Sequence, residues 1–171
     1  MSNNRRSFLY KGGRSALTAG ILGIGAGAAC GRVDITTQPS KRAKPTKQVI
    51  SGPGKHTSLP FSPAILFGNL LFISGQMAID PETRRVVEGG IKAETRYILE
   101  NFRKLLESTG SSLGRVLKCT VFLSSAADFQ AMNEVYRTFF PVDPPARSTI
   151  AAGELVVAGG HVEIECFAYV D

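Results

Sequence analysis

A chain of 171 residues with 43% apolar side chains and charges of both signs has the length and composition of one globular domain, which excludes a disordered protein. Its net charge of +6 would point to an anionic partner, but residues 1–47 hold nine Lys/Arg against Asp34 alone, leaving eleven bases and thirteen acids for residues 48–171. A nucleic-acid reader carries its basic patch on the folded part, so this distribution argues against one.

The chain opens on "NNRRSFLYKGGRSALTAGILGIGAGAAC", which pairs Arg5 with Arg6, follows them with Phe8 and Leu9, and runs uncharged from Ser15 to Cys30. It resembles a twin-arginine export signal, basic at its start and modestly apolar after it. Sixteen uncharged residues, four of them glycine, fall short of the roughly 20 apolar residues that span a bilayer. Cys30, after Gly27-Ala28-Ala29, is similar to the acylated cysteine of bacterial lipoproteins, while the A-x-A of Ala26–Ala28 offers plain cleavage instead. The first route leaves an exported protein tethered to a membrane and the second leaves it free in the periplasm. Residues 31–47, with Pro39, Pro45 and five Lys/Arg, read as a solvated linker, and 48–171 as the folded domain.

Within the domain, "AILFGNLLFIS" sets two apolar runs around Gly68-Asn69, a hairpin signal. Asp80-Pro81-Glu82-Thr83 is a turn. Ile91, Ile98, Phe102, Leu105 and Leu106 recur at helical spacing up to Gly110, a C-terminal cap. Leu117, Cys119, Val121 and Leu123 alternate with their neighbours, so 116–123 is a strand with one apolar face. Ser125-Ala126-Ala127-Asp128 matches a capping box, Phe129, Met132, Tyr136, Phe139 and Phe140 continue at helical spacing, and Pro141 ends that helix. A short strand after Arg147 and a long one from His161 to Val170 complete an order ββαβαββ. This is an α+β sandwich with both helices on one face of one sheet.

Export to an oxidising compartment would invite a disulfide between Cys119 and Cys166, but each sits in an apolar alternating run and nothing in the sequence fixes their separation, so they read as buried free thiols with the pairing left open. In "HVEIECFAYV", Val162, Ile164, Cys166 and Ala168 face the helices, while His161, Glu163, Glu165, Phe167 and Tyr169 fall on the other side. A lone domain would simply leave those carboxylates in water, with Phe167 and Tyr169 wet beside them, whereas a surface covered by another subunit accounts for acids and aromatics together. His161 and Glu163 would make half of a metal site, but His56, the other histidine, lies in a Gly/Pro-rich stretch and no third ligand is evident, so no metal is expected.

Taken in order, "GNLLFISGQMAIDPET", "DFQAMNEVYRTFF", "PPARSTI" and "VEIECFA" resemble the reactive intermediate deaminase family, also called Rid or YjgF, over roughly residues 47–171. The resemblance implies a chorismate-mutase-like fold of the Bacillus type, assembled as a homotrimeric barrel with sites between subunits. It implies cofactor-free hydrolysis of enamines and imines such as 2-aminoacrylate to a 2-keto acid and ammonia. The arginine of the family's P-A-R motif, matched by Arg147, binds the substrate carboxylate, and the first acid of V-E-I-E, matched by Glu163, orients or deprotonates water. Phe61, Ser74, Gly75, Asn133 and Thr149 match positions that line the family's pocket. Two of them depart from the pattern: Phe61 stands where the family has a tyrosine, and Thr149 where a cysteine is common. The resemblance leaves two other readings open, a non-catalytic trimer that binds small carboxylates and a ribonuclease.

Overall fold

The computed structural model describes residues 44–51 and 60–171. The expected export segment, Cys30 and most of the linker lie outside the described residues, as does His56. The elements are β1 (Lys47–Ile50), β2 (Ala64–Phe67), β3 (Leu70–Met77), α1 (Gly90–Ser108), β4 (Val116–Leu123), α2 (Phe129–Phe139), β5 (Ala146–Ala151) and β6 (Val162–Tyr169). They form one mixed six-stranded sheet in the order β1-β2-β3-β6-β4-β5, in which only β4 and β5 run parallel.

The α+β class and the two helices are as the sequence reads. The strand count is not: β1 precedes the expected hairpin and begins at Lys47, the last residue assigned to the linker. Its side chains are mostly exposed, so no periodicity announces it, and pairing with β2 alone makes it a strand. Arg147 lies inside β5, which starts one residue earlier at Ala146.

Alternation decides which face of the sheet is covered. Val162, Ile164, Cys166 and Ala168 of β6 and Cys119, Val121 and Leu123 of β4 are buried, and Ile98, Leu99, Phe102 and Leu106 of α1 with Met132 and Tyr136 of α2 close over them. α1 ends as expected near Gly110, whose φ of 78° lets the chain turn back so that the Ser111 N–H reaches the Leu106 carbonyl at 2.8 Å. The capping box before α2 forms only in part. Ser125 Oγ accepts from the Ala127 N–H at 3.2 Å, which caps a 3-10 turn over 126–128, and α2 starts after that turn with no side-chain cap of its own.

The opposite face of the sheet carries no layer from the described residues. Phe72 and Phe167 meet there with ring centroids 5.2 Å apart, and Phe67, Leu70 and Ile150 are also exposed; Leu117, expected on the apolar face of β4 with Cys119, is exposed instead because the pairing with β6 shifts register between Val116 and Lys118. No helix among the described residues is long and apolar enough to cross a membrane.

Candidate active site

Arg147 is the second residue of the edge strand β5, half-buried on the helix side of the sheet. Register puts its Cα opposite Cys119 of β4, whose side chain points into the core. Directed the same way, the guanidinium meets α2 rather than water. It lies 4.6 Å from the centroid of the Tyr136 ring and 5.8 Å from that of Phe129. One nitrogen donates to Asn133 Oδ1 at 2.7 Å, and another approaches the Met132 sulfur at 3.9 Å.

Phe129, Met132, Asn133 and Tyr136 are spaced three, four and seven apart, so one stripe of α2 supplies the whole cradle. Stacking fixes the plane of the fork and Asn133 fixes its rotation. The remaining N–H donors are left to grip a planar anion, and a carboxylate matches that spacing.

Thr149 follows on the same face of β5, half-buried and paired with Val121. Asn133, 8% exposed, is brought together with Arg147 by its hydrogen bond. Tyr136, Phe129 and Met132 read in the sequence only as helix core. The signal that joins them to the site is that Asn133 shares their stripe.

Glu163 lies elsewhere. It is the second residue of β6, on the face away from the helices, and its register partners are Met77 and Phe122. Gly75 lies directly beneath it: a Cβ at that position would come within 2.0 Å of Glu163 Oε1, so only glycine leaves the carboxylate its place. Partial burial, with Glu165 two residues on, pushes the Glu163 carboxyl above the ordinary carboxylate range. Ser74 adjoins Gly75 at an irregularity in β3, and its hydroxyl donates to the Ser62 carbonyl at 2.7 Å. Phe61, beside that contact, is exposed.

The expected residues therefore fall into two groups, Arg147, Asn133 and Thr149 on one face and Gly75 and Glu163 on the other. Arg147 and Glu163 are two strands apart, about 10 Å, and offset by three residues along the strands, about another 10 Å. One chain does not bring them together. A hollow of about 480 Å³ beyond the far end of β5, lined by Ser124 and residues 153–161, includes neither.

His161 does not join Glu163. Its Nδ1 is 2.5 Å from Glu94 Oε1, and Glu94 Oε2 accepts from the His161 N–H at 2.8 Å. Glu94, 1% exposed on α1, thus holds the start of β6 to the helix layer, and the shared face expected for His161 and Glu163 is corrected by that pairing. No group of three or more metal-binding side chains occurs among the described residues.

Residues 55–170 match the endoribonuclease L-PSP family. The chain belongs to that family. It is 46% identical to a RutC family protein of Pyrococcus horikoshii over 110 residues, 64% of this chain and 86% of that one. It is 38% identical to the 2-iminobutanoate/2-iminopropanoate deaminase of Capra hircus over 109 residues, 64% of this chain and 79% of that one. The solved structure of RidA from an Antarctic Psychrobacter species superposes with a TM-score of 0.62 at 33% identity, covering 75% of this chain and all of that one. The sheet and its two helices are thus those of the Rid and L-PSP proteins.

Proposed function

We propose that the protein hydrolyses reactive imines and enamines of small 2-amino acids to 2-keto acids and ammonia, as a homotrimer with its sites between subunits. The observation that carries this reading is the Arg147 cradle, a half-buried guanidinium held flat by Tyr136 and Asn133 with free donors. A carboxylate gripped there contributes about 1.5–3 kcal/mol through charged hydrogen bonds. The exposed apolar and acidic face of the sheet supports burial against neighbouring copies, and assembly gives Arg147 of one chain access to Glu163 of the next.

In this scheme an enamine first takes a proton at carbon to become the iminium, the protonated form of the imine. Glu163 removes a proton from water as the oxygen adds to the C=N carbon. Glu163 then returns its proton to the carbinolamine nitrogen, the C–N bond breaks, and the hydroxyl proton leaves with the ammonia as the C=O bond of the keto acid forms. Water supplies the carbonyl oxygen and no electrons change hands. A carboxyl pushed above its usual range is better matched to such a shuttle near neutrality.

The test is to generate 2-iminopropanoate in situ and follow keto acid and ammonia. Release above the spontaneous rate, lost in Arg147→Ala, is expected; no acceleration with any 2-imino acid refutes the reading. Phe61 favours a second reading, because its ring brings no hydroxyl to the pocket: a trimer that binds small carboxylates without turnover. Calorimetric binding of 2-keto acids with no acceleration would decide for it. Against a ribonuclease stands the slightly acidic folded part, and single-stranded RNA left intact on long incubation would close that question. Export by the twin-arginine route, read from residues 1–30, belongs to the proposal and is checked by cell fractionation of an Arg5→Lys, Arg6→Lys variant, expected to stay in the cytoplasm.

A further inference from the structure

Cys119 and Cys166 have no part in the proposed reaction, yet register sets them directly opposite each other across the antiparallel β4–β6 pair. Opposed residues in such a pair have Cα atoms about 4.5 or 5.5 Å apart, and both values fall in the roughly 4.4–6.8 Å that a disulfide spans. Both are free thiols on the helix-covered face, 0% and 1% exposed. They are not equivalent. Interaction with the neighbouring Cys166 thiol lowers the pKa of Cys119 despite its burial, with Tyr136, Lys118 and Arg147 adding to the effect, whereas the Cys119 neighbour and burial push Cys166 up. Cys119 is the one with cations beside it, Arg147 opposite in register and the Lys118 ammonium on its own carbonyl, and their charge favours its thiolate as the attacking group.

The pair also lies under the carboxylate seat. Cys119 is the register partner of Arg147 and lies against Tyr136, the ring on which Arg147 stacks. Tyr136 Oη is the one buried side-chain N or O atom without a hydrogen-bond partner among the described residues. The Cys119 thiol is near enough to help raise its pKa, yet does not meet hydrogen-bond geometry. The ring is therefore held by packing, against Phe140 with centroids 4.7 Å apart on one part and the Cys119 thiol on another, rather than by a hydrogen bond of its own.

We propose that Cys119 and Cys166 close to a disulfide when the protein meets a hydroperoxide, and that closure loosens the aromatic seat of Arg147. The Cys119 sulfur attacks one peroxide oxygen, the O–O bond breaks, and the departing oxygen takes up the thiol proton to leave as water from hydrogen peroxide or as the alcohol from an organic hydroperoxide. The Cys166 sulfur then attacks the sulfenic sulfur, the S–O bond breaks, and hydroxide leaves with the second thiol proton as water. Two electrons pass from the sulfurs to the peroxide. Closing draws the Cys119 sulfur toward β6 and away from Tyr136, whose hydroxyl has no partner to keep the ring in place.

The consequence for binding rests on the reading of Arg147 as a carboxylate seat, whereas the disulfide does not. The test uses the full chain with Cys30→Ser, which leaves this pair as its only cysteines. After hydrogen peroxide, denaturation and alkylation, intact mass should show the loss of two hydrogens and no alkylation. Dithiothreitol should reverse this, and Cys119→Ser and Cys166→Ser should not show it. Two alkylatable thiols, over-oxidised sulfur or cross-linked dimers would overturn the pair. Pyruvate should bind the oxidised form roughly threefold or more weakly, the range of a lost cation–π contact; equal or tighter binding overturns the coupling. If the reduced protein binds no 2-keto acid, the functional reading fails, and Arg147 side-chain NMR shifts unchanged on oxidation would then overturn the coupling.

Discussion

Arg147 is held by shape as much as by charge, and that distinguishes two substitutions that a simple ion pair would treat alike. Arg147→Lys keeps the positive charge but loses the flat fork, its stacking on Tyr136 and the bidentate grip, so 2-keto acid affinity should fall about tenfold by calorimetry. Arg147→Ala should reduce it about a hundredfold or more, with the fold kept, since β5 is an edge strand. Glu163 makes a prediction in pH. Its carboxyl is raised in the folded chain above the 4.5 of an ordinary glutamate, first by burial and then by Glu165. At neutral pH it is ionised in both states, and burial then penalises only the folded one. Below the unfolded value it is protonated in both, and the penalty is gone. Glu163→Gln should therefore raise Tm by roughly 1–3 °C at neutral pH, and the gain should shrink as pH falls through the folded value and vanish below the unfolded one. The same variant should lose about a hundredfold in kcat, and the acid limb of the wild-type rate profile should lie above the usual carboxylate range. A thermal melt series and a rate profile check both halves.

Among the elements, the clearest joint is between α1 and the start of β6. Glu94 spends a fully buried carboxylate on one backbone N–H and one imidazole nitrogen, both of His161, two residues before Glu163. Glu94→Leu fills the space but leaves the His161 N–H without its acceptor, a loss of about 1–3 kcal/mol and a drop in Tm of roughly 3–10 °C. Glu94→Gln keeps an amide oxygen for that N–H and should remain within about 1 kcal/mol of the parent, so the two melts together separate hydrogen bonding from packing. The joint also shows what a sequence reveals of its elements. The face of β6 was legible because its residues alternate without a break, that of β4 only from Cys119 onward because an irregularity between Val116 and Lys118 turns Leu117 out, and the stripes of α1 and α2 because Ile98, Phe102, Met132 and Tyr136 keep helical spacing. β1 was not, because exposed Lys47, Gln48 and Val49 carry no period and only main-chain pairing defines the strand. Glu94 was hidden for another reason. An acid among apolar residues at helical spacing reads as solvent-facing, and its partner lies 67 residues away in the chain.

The sharpest consequence belongs to the whole assembly. Arg147 and Asn133 share the helix side and Glu163 and Gly75 the bare side, a division that motif order conceals because all four lie in segments that match the family. If the catalytic pair is built from Arg147 of one subunit and Glu163 of its neighbour, the single chain cannot be the catalytic unit. In the proposed trimer the bare face, with Phe72 and Phe167 exposed, would supply the contact. Phe167→Glu places a charge against that contact and should shift the molecule to monomers in analytical ultracentrifugation, with activity falling in step with the trimer fraction. A stronger test mixes inactive chains. Trimers of Arg147→Ala alone lack every guanidinium, and trimers of Glu163→Gln alone lack every base. Unfolded together and refolded, they form hybrids in which some clefts receive Arg147 from one parent and Glu163 from the other, and those clefts are whole. At equal mixing about a quarter of the clefts should be whole, so activity should return to roughly a quarter of wild type, the binomial share for two residues drawn from different subunits. If both residues serve the same cleft from the same chain, every cleft in every hybrid carries one lesion and activity stays at the level of the parents. Recovery therefore reports which chain supplies which group, and it does so without depending on the identity of the physiological imine.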